Sequence, residues 1–266
     1  MKVDSIDDMI KRLRPFEWDN QFWKNAFFAL CSRIAYLPGG QAGDYFKKMG
    51  LGSKYTYIDN KGAQCHIVEN GSKLFIFFRG TEPTEFNDIK ADLKAWKSKS
   101  QTSGRVHDGF FDEVNKVWDQ VLKHNPDNKA IYVAGHSLGG AMATICATRL
   151  SYRNPELYTY GSPRVGNTTW LKHNYAVSHK RFVNNNDAVP RVPPAFLGFR
   201  HHGELQYINF YGNVRFMSTW QRIKDQWRSR KRAWSKGQHF SDFIDHSIDL
   251  YSQKLVDLYA DGEKFY

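Results

Sequence analysis

The chain has 266 residues, 41% hydrophobic and 24% charged, with no low-complexity linker and no internal repeat, so one domain with a deep core is expected over 1–266. Lys and Arg number 38 against 27 Asp and Glu, and the formal charge of +11 gives a surface that attracts polyanions, whether nucleic acid or anionic lipid. Cys31, Cys65 and Cys146 are scattered without a C-x-x-C spacing, which argues against a disulfide framework and against a zinc site.

The first twenty residues alternate charge and lack the apolar core of a secretory signal. No stretch reaches the ~20 apolar residues of a membrane span. The expectation is a chain that is cytoplasmic or exported without a signal peptide, with no transmembrane segment. Residues 19–37 read as a helix: Phe22, Ala26, Phe27, Leu30 and Ile34 recur at helical spacing, and Pro38-Gly39-Gly40 stops it. Strands follow at 55–58 and 65–69, and the apolar run LFIFF at 74–78 reads as a strand buried on both faces. Residues 110–123 read as a helix, 130–134 as a buried strand, and 138–152 as a helix rich in small residues. Cys31 and Cys146 sit in apolar runs as buried thiols, which fits a reducing compartment. Further strands are expected at 157–160, 181–184 and 204–210, and an amphipathic helix closes the chain at 244–259 through Ile244, Ile248, Tyr251, Leu255 and Leu258. Buried strands alternating with helices predict an α/β fold with a central, mostly parallel sheet flanked by helices.

Gly135-His136-Ser137-Leu138-Gly139 matches G-x-S-x-G. The pattern has a mechanical meaning. A strand turns sharply into a helix so that the serine hydroxyl stands clear, and glycines two residues either side leave the turn free of clashes. A Gly-rich turn with an ordinary cap serine has the same residues, but here a buried strand ends before the motif and a small-residue helix begins after it. The helix N-terminus behind Ser137 favours developing negative charge.

A serine hydroxyl needs a histidine base held by a carboxylate. On this type of fold the chain order is serine, acid, histidine. Asp187, just after the strand 181–184 and before Pro190, is the acid candidate, at the sheet's C-terminal edge where α/β folds place ligands. His173, His179, His201, His202, His239 and His246 all follow Ser137, and the residues alone leave the base open between His246 and the pair His201 and His202.

Six segments then match, in order, a known pattern: FFRGTEP (77–83), VHDGFFDEV (106–114), GHSLGGA (135–141), TYGSPRVGN (159–167), RFVNNNDAVPRVPP (181–194) and DHSIDLY (245–251). From about residue 26 to 259 the sequence resembles the class 3 lipases, the fungal-type triacylglycerol lipases and their bacterial and plant relatives. The resemblance implies an α/β-hydrolase fold with Ser137 as nucleophile, His246 as base and then acid, and Asp187 as the orienting carboxylate. It implies Thr81 and Leu138 as oxyanion-hole donors, Asp92 as the support of the Thr81 hydroxyl, and His107 as packing beside the site. It implies no metal and no organic cofactor. Residues 82–98 occupy the family's lid position and are more polar than a lid built for a lipid interface. Residues 211–240 look like a cap insertion.

The implied function is hydrolysis of glycerolipid-like esters through an acyl-enzyme, as an acylglycerol lipase or a phospholipase A1-like enzyme. The alternatives are an esterase for small soluble esters, feruloyl esters included, and a non-catalytic lipase-like scaffold. Within the insertion, Met217, Trp220, Ile223, Trp227 and Trp234 fall on one helical stripe of 215–236 with basic residues around it. That pattern suits either a cap packed over the site or a helix lying on an anionic membrane surface. No nucleic-acid module accompanies it, so no nucleic-acid partner is expected.

Overall fold

The computed structural model describes residues 3–52, 54–81, 97–124, 128–235 and 244–262. Its eight helices, among the described residues, are α1 (Ile6–Arg12), α2 (Gln21–Ile34), α3 (Gly39–Lys48), α4 (Asp108–Lys123), α5 (Leu138–Arg149), α6 (Thr168–His173), α7 (Thr219–Ser235) and α8 (Ile248–Ala260). The strands are β1 (Lys54–Asn60), β2 (Ala63–Asn70), β3 (Lys73–Phe78), β4 (Lys97–Lys99), β5 (Arg105–His107), β6 (Ala130–His136), β7 (Glu156–Tyr160), β8 (Ser178–Asn184), β9 (Glu204–Ile208) and β10 (Val214–Arg215).

Eight strands form one sheet in the order β1-β2-β3-β6-β7-β8-β9-β10, and β4 pairs with β5 apart from it. From β3 through β6, β7 and β8 to β9 every pairing is parallel, while β1, β2 and β10 join antiparallel at the two ends. This is the mostly parallel sheet that the alternation of buried runs and helices predicts. LFIFF is covered on both sides: Phe75 and Phe77 enter a core built with α2, α3 and α8, and Leu74, Ile76 and Phe78 enter a second core built with α4 and α5. Each large side chain fully buried in this way stabilises the fold by about 1.5–3 kcal/mol relative to exposure. The three cysteines are free and buried. No helix among the described residues is long and apolar enough to cross a membrane.

The helix read at 19–37 ends before Pro38-Gly39-Gly40, as expected, but Gly39 opens a further helix, α3, that the sequence reading does not foresee. A Cβ at Gly39 would sit 2.7 Å from the Tyr57 ring, so the missing side chain lets α3 lie against β1. The register then sets the functional edge. His136 pairs with Tyr160, Tyr160 with Phe182, and Asn184 with Ile208, so β6 and β7 end level and β8 and β9 end level two residues beyond them.

Candidate active site

Ser137 lies between the end of β6 and the first residue of α5, with φ 57° and ψ −128°. A side-chain-bearing residue at positive φ costs on the order of 1–3 kcal/mol and persists only where its surroundings hold it. Here the surroundings are backbone. A Cβ at Gly135 would stand 2.3 Å from the Gly139 carbonyl oxygen, and one at Gly139 would stand 2.4 Å from that of Phe78. The strand, the helix and the segment after β3 therefore touch main chain to main chain, as the spacing of G-x-S-x-G requires.

The sheet edge brings Ser137, Asp187 and His246 together across 109 and 59 residues of chain. Ser137 Oγ is 2.8 Å from His246 Nε2. His246 Nδ1 is 3.0 Å from both Asp187 oxygens. A carboxylate only accepts, so Nδ1 carries the proton and Nε2 presents its lone pair to the serine hydroxyl. All three side chains are buried, each residue 4% exposed or less. His246 does not open the last helix as the periodicity suggests; Ser247 is the N-cap of α8, and His246 lies just before it on the connecting turn.

Asp187 is held from two further directions. The Tyr251 hydroxyl donates to Oδ2 at 2.7 Å, and the Val189 N–H donates to Oδ1 at 2.9 Å. Burial, and then the neighbouring Asp187 charge, push the Tyr251 phenol well above its usual range, so it remains a donor. The backbone of His246 is fixed too: His136 Nε2 donates to its carbonyl oxygen at 2.6 Å, and His136 Nδ1 accepts from the Tyr36 hydroxyl at 2.8 Å. Burial and the adjacent His246 keep the His136 ring well below the ordinary histidine range, which leaves it neutral and suited to this one-donor, one-acceptor role. Gly161 makes the room. Its φ is +58°, and a Cβ there would lie 2.6 Å from Asp187 Oδ2 and 2.9 Å from His246 Nδ1.

Sequence reasoning singled out none of Tyr36, His136, Gly161 and Tyr251 as site residues. The glycine inside TYGSPRVGN carried the one available signal, a small residue directly after a buried strand. The competing histidines lie elsewhere: His201 bonds the Pro190 carbonyl, and His202 meets His179 Nδ1 at 3.0 Å and the Asn174 carbonyl at 2.8 Å.

Thr81 and Leu138 line a cavity of about 290 Å³ together with Gln64, Arg79, Gly80 and Met142. Gly80 packs on the elbow, since a Cβ there would stand 2.5 Å from the His136 carbonyl oxygen and 3.2 Å from Ser137 Cβ. Leu138 is the first residue of α5, so its N–H has no acceptor within the helix. Thr81 Oγ1 is buried without a hydrogen-bond partner among the described residues. Asp92 lies outside the described residues, as do most of 82–98 and the end of 211–240. His107 is buried, its ring stacked on Phe110 with centroids 4.2 Å apart.

The aromatic stripe of 215–236 does not pack over this site. Trp220, Trp227 and Trp234 on α7 are 73%, 71% and 75% exposed. The buried face of α7 is polar instead. Asp225 accepts from the Tyr207 hydroxyl at 3.1 Å and from the Phe210 N–H at 2.9 Å, and Gln226 donates to the Asn185 carbonyl at 3.1 Å. Those bonds orient the helix with its apolar side outward.

Residues 75–197 match the family profile described as lipase (class 3). A lipase of Rhizomucor miehei is 39% identical over 173 residues, which are 58% of this chain and 46% of that protein. A secreted mono- and diacylglycerol lipase A of Penicillium cyclopium is 42% identical over 141 residues, covering 52% of this chain and 43% of its own length. The chain thus spans less than half the length of these two relatives. Among solved structures, a triacylglycerol lipase whose catalytic centre is a serine protease triad superposes with a TM-score of 0.59 at 27% identity, over 70% of this chain and 79% of that one. A mono- and diacylglycerol lipase of Aspergillus oryzae shares the fold with a TM-score of 0.66 at 19% identity, over 85% and 95% of the two chains. Residues 75–197 thus match the class 3 lipase profile, and the chain has the α/β-hydrolase fold of these solved structures.

Proposed function

We propose that the chain is a serine carboxylic ester hydrolase that cleaves glycerolipid-like esters through an acyl-enzyme. The observation that carries this reading is the 2.8 Å contact between Ser137 Oγ and His246 Nε2, with Asp187 behind the ring. Ser137 Oγ attacks the ester carbonyl while its proton passes to His246 Nε2. Asp187 stabilises the imidazolium that forms. The Thr81 and Leu138 N–H groups take the oxyanion, and each such donor contributes about 10²–10³ in rate. His246 then gives the proton to the leaving alcohol. Water, deprotonated by the same nitrogen, attacks the acyl-serine; as the acyl C–Oγ bond breaks, His246 returns the proton to Ser137 Oγ and the carboxylic acid leaves.

The relatives' names, lipase and mono- and diacylglycerol lipase, support acylglycerols as the substrate class. The same architecture suits a phospholipid that loses one acyl chain. The partner we assign is a lipid surface met through 215–236, with no nucleic acid. A second reading, an esterase for small soluble esters of the feruloyl type, is favoured by the polar segment EPTEFNDIKADLKAWKS after Thr81.

A hydrolysis panel tests both. The chain should hydrolyse octanoyl and longer glycerides faster than acetyl or feruloyl esters, and Ser137→Ala should lower every rate by about 10⁴–10⁶ while its melting curve stays cooperative. Preference for acetate transfers the site to the second reading. Full activity in Ser137→Ala, or none in the unmodified chain, removes the hydrolase reading and leaves the scaffold.

A further inference from the structure

Helix α7 inverts the usual arrangement of a surface helix. A helix on a globular body turns its apolar stripe inward and its charges outward. On α7 the buried residues are Asp225 and Ser229, while Trp220, Ile223, Trp227 and Trp234 are exposed. At 100° per residue these four lie within one narrow stripe, opposite Asp225 and Ser229. Three exposed tryptophans in seventeen residues leave a large apolar area in water, which marks an interaction surface.

The charge on the same helix selects the occupant. Thr219–Ser235 holds six basic residues, Arg222, Lys224, Arg228, Arg230, Lys231 and Arg232, against the one buried acid Asp225. Tryptophan beside Lys and Arg is the composition of a helix lying in the headgroup layer, where the indole suits the boundary and the cations meet anionic lipid. A second copy of the chain is disfavoured, because an isologous contact would set this basic helix against itself.

We infer that α7 is a membrane-docking element that seats its Trp220–Trp227–Trp234 stripe in the interface of an anionic bilayer. The inference names the surface at which the proposed lipid ester hydrolase works, and it rests on that reading for its purpose but not for its geometry. The polar face locks the helix to the body through Asp225, and Gln226 ties it to Asn185, two residues before Asp187. Docking through the stripe therefore brings the sheet edge that carries Ser137, Asp187 and His246 close to the lipid.

The test uses the full chain with Ser137→Ala, so that vesicles stay intact, and measures co-sedimentation with phosphatidylcholine vesicles with and without 30% phosphatidylglycerol. Binding should be at least tenfold tighter to the anionic vesicles, since each basic residue near such a surface is worth roughly fivefold. The triple variant Trp220→Ala, Trp227→Ala, Trp234→Ala should lose at least tenfold in binding, and Lys224→Glu with Lys231→Glu should lose the preference for anionic lipid. Placed in the active chain, both sets should leave turnover of soluble p-nitrophenyl butyrate and the melting temperature unchanged. Undiminished vesicle binding in the triple variant overturns the inference. So does a dimer in sedimentation equilibrium that the triple variant abolishes, or single-stranded DNA binding tighter than vesicle binding and lost with the tryptophans. Vesicle binding with no turnover of any ester would remove the hydrolase reading alone, whereas turnover without vesicle binding would remove only the docking helix.

Discussion

At the sheet edge, Ser137, Asp187 and His246 are almost wholly buried and held by hydrogen bonds: Tyr251 and Val189 to the carboxylate, His136 to the histidine carbonyl. On α7, one hydrogen bond from Asn185, the Asp225 carboxylate is again inside and hydrogen-bonded, but indoles stand in water. Both regions bury polarity, and to opposite ends. In the proposed reading the edge uses it to fix atoms for chemistry, where a 1 Å error is costly. The helix uses it as a handle, so that its apolar stripe remains available. Mutations at the two should therefore separate: edge variants lose turnover on every substrate, and helix variants keep turnover on soluble ones.

The sharpest way to break that comparison is Gly161→Ala. Its methyl group would collide with Asp187 Oδ2 and His246 Nδ1, at a backbone φ of +58°. The kcat/KM on a soluble ester should fall by about 100-fold from misplacement of the pair, with the chain still folded by circular dichroism. Unchanged turnover would show that the site tolerates displacement and is less fixed than its contacts suggest.

A smaller effect is expected on the other side. Asp225→Ala strands the Tyr207 hydroxyl and the Phe210 N–H beneath α7. The loss of about 2 kcal/mol should appear as a fall of roughly 4–8 °C in melting temperature, with soluble-ester kcat/KM within about twofold of the parent. A large loss of turnover would tie α7 to the chemistry and dissolve the distinction.

Much of this architecture is legible in the sequence because its signals are local. LFIFF and AIYVA are buried strands by composition alone, and G-x-S-x-G joins a strand to a helix at the place where the structure puts Ser137. What was hidden depends on contacts between distant segments. The choice of His246 over His201 and His202 was open to residue-by-residue reasoning, because the edge is assembled from strands far apart in sequence. Tyr251 read as one more apolar position of an amphipathic helix, yet its hydroxyl reaches Asp187. The helix α1 was missed because its charges mask a capping pattern in which Ser5 accepts from the Asp8 N–H. The stripe of α7 was visible as periodicity, but periodicity does not say which face turns inward; Tyr207 and Phe210 decide that by bonding Asp225.

The most direct measurement is labelling with a fluorophosphonate, followed by mass analysis of the modified peptide. A serine made nucleophilic by His246 should take one label, on Ser137, and substitution His246→Ala should slow that labelling by at least 1,000-fold, on the order of what loss of a base costs. A label on a different serine, or an equal labelling rate without His246, would contradict the proposed triad.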